Sequence, residues 1–334
     1  MLAAACAAAY AVARAGRSAT PPSPASSASG ATAAAAGPKL RVGVPLNCYA
    51  ALLVLAEQKG LFAREGLDVE LVPFRDGKKS FKGMLAGEAD ASLVGDLHIA
   101  AIGDARQDFR VLARLGRSEF DRWIVARRDI HAVAELRDKT IGTQKRSGAA
   151  YVLDGILARN GLHQGDVRVV DVGERDMGRR LRNGQLDAFV VPRPYVGPLK
   201  QHFHVDATEL VDRDGYRTAF ALVARPEIAA ARRADAEKLL RAVAAAADAI
   251  HADPASAFEI VTHAPVLGGR PMLDECKSLT FDVGLDDAFV ARLQAEGDWF
   301  AKASGRGPAP DFSTLVAPEP LAAARPAAVH VEKE

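Results

Sequence analysis

Five short stretches of the chain carry side chains that could hold or transform a small molecule. Asn47-Cys48-Tyr49 sets an amide, a thiol and a phenol side by side. The amide can donate and accept, and the phenol can stack or hydrogen-bond. Gly77-Lys78-Lys79-Ser80 has the flavour of a phosphate-cradling loop. Val72 stands where the first glycine of that pattern belongs, however, and Lys79 where its hydroxyl belongs, so helix capping is the better account. Gly95-Asp96 offers a carboxylate suited to an amine or a ring N–H. Lys145-Arg146-Ser147 joins two cations to a hydroxyl just ahead of a helical stretch, where free backbone N–H groups can hold an anion. Pro192-Arg193-Pro194-Tyr195 adds another cation and another phenol. Each has a plainer alternative: Asn47 and Ser147 suit helix caps equally well, and basic loop residues are ordinarily solvated.

Other chemistry fails on inspection. There is no Gly-x-Ser-x-Gly nucleophile elbow. His202 and His204 could share a metal if extended, but no third ligand stands at a plausible spacing. Three cysteines, Cys6, Cys48 and Cys276, define no metal or disulfide framework, and whether Cys48 and Cys276 pair is left open. Neither a cofactor nor a metal is expected.

The elements that would position these residues come as one pattern written twice. The first copy runs Val42-Gly43-Val44, Ala63-Arg64-Glu65-Gly66-Leu67, then Gly87 and Asp90-Ala91. The second runs Ile141-Gly142-Thr143, Ala158-Arg159-Asn160-Gly161-Leu162, then Gly184 and Asp187-Ala188. Apolar spacing predicts strands at 39–44, 67–73 and 89–94 around helices at 50–65 and 77–87. The second copy repeats this with strands at 140–143, 167–172 and 188–191 around helices at 147–160 and 175–183. A helical crossover returns the chain in the same direction, so each copy implies a mainly parallel sheet flanked by helices.

Ligands of such sheets bind beyond the carboxyl ends of the strands. That rule puts Asn47, Cys48, Tyr49, Lys78, Ser80, Gly95 and Asp96 on one lobe, and Lys145, Arg146, Ser147, Arg193 and Tyr195 on the other. β-like runs at 109–115 and 121–126 can carry the chain across, and 216–224 can bring it back. A long helix striped by Leu239, Leu240, Val243, Ala247 and Ile250 follows, and Pro254, Pro265 and Pro271 break up the remainder. The expected fold is α/β and two-lobed: residues 39–127 plus 219–315 form lobe 1, 128–218 form lobe 2, and a two-crossing hinge joins them.

Composition is that of an ordinary globular protein. The chain has 334 residues, about half of them hydrophobic (49%) and a quarter charged (25%). Its formal net charge of +1 gives no pointer to nucleic acid. Residues 1–13 resemble the apolar core of an export signal, though they lack a positive start, and 18–38 read as a tether with almost nothing to bury. Leu2-Ala3-Ala4-Ala5-Cys6 approaches a bacterial lipidation box, but its leucine lies one position too far from Cys6. A low-complexity cytosolic tail is the alternative. Residues 316–334, rich in Ala and Pro, read as a second, disordered tail.

Several of these segments resemble a family. Lys39-Leu-Arg-Val-Gly-Val, then Lys59-Gly-Leu-Phe-Ala-Arg-Glu-Gly-Leu-Asp-Val-Glu, is similar to the opening of periplasmic solute-binding proteins of ABC transporters. The branch is the NMT1/THI5-like one, which includes nitrate, taurine, aliphatic-sulfonate and thiamine-pyrimidine binders. Gly87-Glu-Ala-Asp-Ala, Ala134-Glu-Leu-Arg-Asp-Lys-Thr-Ile-Gly and Asn183-Gly-Gln-Leu-Asp-Ala continue the match in order.

The resemblance implies a monomeric, non-enzymatic flytrap of the periplasmic-binding-protein type (type II). It would stand in the periplasm, or be tethered outside the cytoplasm through Cys6. It would capture a small polar or anionic organic ligand in the same loops and deliver it to a membrane permease. Pro192-Arg193-Pro194-Tyr195 departs from the Trp-x-Pro or Glu-Pro often found there. An enzyme on the same fold, a lyase or a pyrimidine-forming synthase, is the alternative, although that synthase's cysteine-rich motif is missing. A carrier serving a non-transport partner is a third reading.

Overall fold

A computed structural model describes residues 38–118, 122–192, 206–210, 215–269 and 272–331. The strands of its two main sheets are β1 (Leu40–Pro45), β2 (Val69–Phe74), β3 (Ala91–Gly95), β4 (Arg110–Ser118), β5 (Arg122–Arg127), β6 (Thr140–Thr143), β7 (Arg168–Asp171), β8 (Ala188–Pro192), β9 (Ala207–Leu210), β10 (Ala219–Ala224) and β11 (Leu279–Thr280). They form a six-stranded sheet in the order β11-β4-β10-β3-β1-β2 and a five-stranded sheet in the order β7-β6-β8-β5-β9.

Both sheets have a parallel heart. β1 pairs in parallel with β2 and β3, and β6 does the same with β7 and β8. To each heart an antiparallel strand is added, β10 beside β3 and β5 beside β8. These additions are where the chain changes sheets, between β4 and β5 and again between β9 and β10. The run 122–127, placed in lobe 1 on sequence grounds, is thereby corrected: it pairs with Ala188–Pro192 and Ala207–Leu210. Periodicity marks a strand but does not say which sheet it will join.

The doubled pattern serves the same scaffolding purpose in both sheets. Asp90 accepts a hydrogen bond from the Arg41 backbone N–H (2.9 Å), and Asp187 accepts one from Thr140 N–H (2.8 Å). Each aspartate thus ties the third strand of its copy to the first. Gly66 (φ 65°) and Gly161 (φ 70°) both take the left-handed conformation that ends a helix before a strand.

The main core lies around β1. Ala51 through Ala56 of the Ala51–Gln58 helix are all buried, because the sheet covers one side of it and the Arg233–Ala252 and Pro254–His263 helices cover the other. The carboxy-terminal stretch is corrected as well, since the described part of 316–334 is packed. Leu321 of the Glu319–Ala324 helix is fully buried, Val316 bridges to Val111, and Val329–His330 pairs with Leu285–Asp286.

Candidate functional site

On the first sheet, β1 leads into a short turn at Cys48–Ala50, capped by Asn47, whose Oδ1 accepts from Tyr49 N–H (3.2 Å). Cys48 is buried and forms a disulfide with Cys276 (Cα–Cα 5.2 Å), while its backbone N–H donates to Glu275 Oε1 (3.2 Å). Cys48 is therefore corrected from ligand contact to cross-link. Tyr49 stacks on buried Phe220, with ring centres 4.7 Å apart and planes 12° from parallel.

The helix predicted after the second strand runs Gly77–Leu85 and is capped by Asp76 through Lys79 N–H (2.8 Å). Lys78 is exposed on its first turn. Ser80 is corrected: it is buried beneath β1, and its hydroxyl lies 2.6 Å from that of Ser92. A residue one turn into a helix packs on the sheet, whereas a residue in the preceding loop would face outward.

Asp96 also departs from expectation. It opens the Asp96–Gly103 helix with no solvent exposure. Its Oδ1 accepts from Leu97 N–H (2.8 Å) and the Tyr216 hydroxyl (2.7 Å). Its Oδ2 accepts from Ala219 N–H (2.9 Å) and pairs with the Arg292 guanidinium (2.8 Å). With four donors in place this carboxylate has no need of an amine ligand. It instead anchors the returning chain, at Tyr216 and Ala219, next to Gly95.

Arg292 also bonds Glu296 Oε1 (3.0 Å), and that oxygen lies 2.9 Å from the Tyr216 hydroxyl. One phenolic proton cannot serve two ionised carboxylates. Burial pushes both acids upward in pKa, Glu296 well above the ordinary range. Among the described residues Glu296 Oε2 is buried and unpartnered, whereas Asp96 is surrounded by donors. Glu296 is accordingly the neutral member.

On the second sheet, Ser147 caps the Gly148–Arg159 helix: its Oγ accepts from Ala150 N–H (3.3 Å) and donates to the Gln144 carbonyl (2.6 Å). Lys145 and Arg146 are exposed beside it, Arg146 in the left-handed backbone region (φ 55°). The three predicted residues of this loop are thus brought together. Thr143, which the sequence reading passed over, ends β6 fully buried with its hydroxyl unpartnered among the described residues. Arg193 and Tyr195 lie outside the described residues, as do His202 and His204. Among the described residues, no group of three His, Cys, Asp or Glu could hold a metal.

The lobes meet through aromatic side chains that sequence reasoning also missed. Tyr151, on the helix capped by Ser147, sits edge-on to Tyr216 (5.7 Å, 84°) and to Trp299 (5.6 Å, 81°). Trp299 belongs to the Asp287–Ala303 helix, and its indole N–H crosses to Asp154 Oδ2 (2.7 Å). A cavity of about 310 Å³ opens beside these rings. The sequence did hold one signal: Glu296 interrupts the apolar stripe Phe289, Leu293, Phe300, which marks a buried acid needing partners.

Two sheets joined by two crossings define a class of fold, and comparison with known proteins assigns the family. The sequence model of the NMT1/THI5-like family matches residues 47–257, which takes in strands of both sheets. The chain belongs to the NMT1/THI5-like family. A protein of Brucella abortus (strain 2308), described as a binding protein, is 23% identical over 227 residues, covering 66% of this chain and 70% of its own. An aliphatic sulfonates-binding protein of Bacillus subtilis (strain 168) is 28% identical over 164 residues, 47% of this chain and 49% of its own.

Among solved structures, the periplasmic aliphatic sulphonate binding protein SsuA of Escherichia coli superposes with a TM-score of 0.66 at 19% identity, covering 84% of this chain and 97% of that one. The alkanesulfonate-binding protein SsuA of Xanthomonas axonopodis pv. citri, bound to MOPS, gives 0.63 at 20% identity, covering 85% and 99%. The fold of this chain is that of the periplasmic binding proteins.

Proposed function

We propose that this chain is the solute-binding component of an ABC import system, closing its two lobes on a small polar or anionic organic ligand and presenting it to a membrane permease. The family match across both sheets carries this reading, and the named relatives make an organic sulfonate the first ligand to try. Asn47, Tyr49, Lys145, Arg146 and Ser147 are the proposed contacts from the sequence. Thr143 joins them, because a buried hydroxyl without a partner ahead of a helix start suits an anion better than an empty space. Closure follows if the ligand gains more contacts in the closed state than in the open one.

The buried Cys48–Cys276 disulfide supports a place outside the cytoplasm, since such bonds persist in oxidising compartments. Residues 1–38 would act as export segment and tether, with lipidation at Cys6 a finer option. The test is a thermal-shift and calorimetry screen of the full chain against sulfonates, nitrate, pyrimidines and flavins. Saturable one-to-one binding without turnover is expected. Turnover of a bound compound, or no response to any of them, overturns the reading.

A further inference from the structure

One helix of the second lobe is gripped by the first lobe at two successive turns. The Gly148–Arg159 helix brings Tyr151 and then Asp154 to the seam. Tyr151 packs edge-on with Tyr216 and Trp299, their ring centres 5.7 and 5.6 Å away. Asp154 Oδ2 accepts the indole N–H of Trp299 (2.7 Å).

Each gripping group is seated in its own lobe before it reaches across. Trp299 stands edge-on to buried Phe300 (5.2 Å, 88°). The Tyr216 hydroxyl lies within 2.9 Å of the Asp96 and Glu296 carboxylates, and the Arg292 guanidinium is 4.4 Å from its ring centre. On the facing lobe, the Gln164 amide donates to Asp154 Oδ1, which leaves Oδ2 for the indole. Side chains already held in place lose little freedom on meeting, so their contact stabilises more than one between loose surface groups.

All of these groups belong to the protein, so the contact asks nothing of a ligand. It is also remote from the proposed ligand contacts. Asp154 is seven residues beyond Ser147, about 10 Å along the helix, and a small anion at Ser147 does not span that gap. Both residues nevertheless ride on one helix, so a movement that parts Asp154 from Trp299 carries Ser147 with it. A hydrogen bond is lost once its atoms separate by about an ångström more, and hinge motion moves lobes as bodies. Opening about the two crossings therefore breaks the contact.

Resting on the solute-binding reading above, we propose that Asp154, Trp299 and Tyr151 form an interlobe latch that holds the lobes closed for about half of the time ahead of the ligand, and that apparent affinity follows that closed fraction. These are positioning residues. They touch no ligand and act on Ser147 through the helix that carries it.

Small-angle X-ray scattering of the ligand-free full chain tests the latch, together with calorimetry using methanesulfonate and nitrate as probes. Trp299→Phe keeps a ring beside Tyr151 but loses the N–H, and Asp154→Ala removes the acceptor from the other lobe. Losing a hydrogen bond to a charged acceptor shifts the closing equilibrium about tenfold. Each variant should then be closed about a tenth of the time, with a larger radius of gyration and about fivefold weaker binding of both probes. The factor should be equal for the two probes, because a latch acts on closure and not on the ligand. Asp154→Asn keeps an acceptor oxygen and should restore most of the affinity. The double variant should lose no more than either single one, which a general loss of packing would not reproduce. An unchanged radius of gyration in both single variants, or losses that differ between the probes, overturns the latch and leaves the binding protein standing. Expansion of both variants when the unaltered chain binds neither probe upholds the latch and counts against a small anionic ligand.

Discussion

The two copies of the pattern are built alike up to their strand ends and then diverge. In both, a glycine turns the helix into the second strand, and an aspartate ties the third strand to the first. Beyond β1 and β3 the chain is fastened: Asn47 caps, Cys48 is cross-linked to Cys276, and Asp96 gathers Tyr216, Ala219 and Arg292. Beyond β6 the loop carries exposed cations, one left-handed residue and a serine cap. The teaching is a division of labour. The first lobe supplies a covalently held rim, and the second a rim of exposed cations.

Substitutions on the first rim should therefore show up as stability, and those on the second as affinity. The largest effect is expected from Asp96→Ala, which strands the Arg292 charge and the Tyr216 hydroxyl. Chemical denaturation should show a loss of about 3–5 kcal/mol, typical of breaking a buried ion pair. Replacing Cys48 and Cys276 together by alanine should cost about 2–4 kcal/mol by the same measurement.

The tying aspartates allow a like-for-like comparison. Asp90 is 8% exposed and held by Arg41 and Arg225, whereas Asp187 is 20% exposed. Asp90→Ala should then cost about 2 kcal/mol and Asp187→Ala about 1 kcal/mol. Equal costs would remove the asymmetry between the copies. Burial alone would raise the Asp90 pKa, but the Arg41 hydrogen bonds outweigh it and the net shift is downward. Its contribution should persist above the ordinary aspartate range, near about 4, and fade as pH falls through the lower folded value.

Glu296 has the opposite sign. Its raised pKa means that its contribution is whole below about 4.3 and is lost as pH rises through the folded value. Glu296→Gln should flatten stability against pH over that range, and an unchanged slope would show that the acid is not neutral in the fold. The smallest effect is expected from Ser147→Ala, about 1 kcal/mol from the lost cap, accompanied by weaker ligand binding in calorimetry. Binding that stays unchanged would take Ser147 out of the cleft.

How much of this was legible depends on how local the cause is. The parallel hearts were readable, because helix and strand periods and terminal glycines act within a few residues. Asn47 and Ser147 as caps were likewise among the readings open from the start, since a cap is a local hydrogen bond. The pairing of Cys48 with Cys276, the burial of Ser80 and the saturation of Asp96 were not readable, because each is decided by residues brought close only by folding. Trp299 lay hidden for the same reason: on its own helix it is one more aromatic beside the core, and its meaning comes from Asp154 across the seam. The carboxy-terminal stretch misled by composition, because Leu321 and Val316 do work that a tally of Ala and Pro cannot reveal.

The cross-link has one more consequence. Cys48 and Cys276 stand 228 residues apart, and every strand of the second sheet lies between them, so the oxidised polypeptide is a closed ring that carries the second lobe within its circumference. A single protease cut anywhere from 49 to 275 would open that ring without releasing a fragment. The nicked molecule would migrate as one species until a reductant is added, and only then as two.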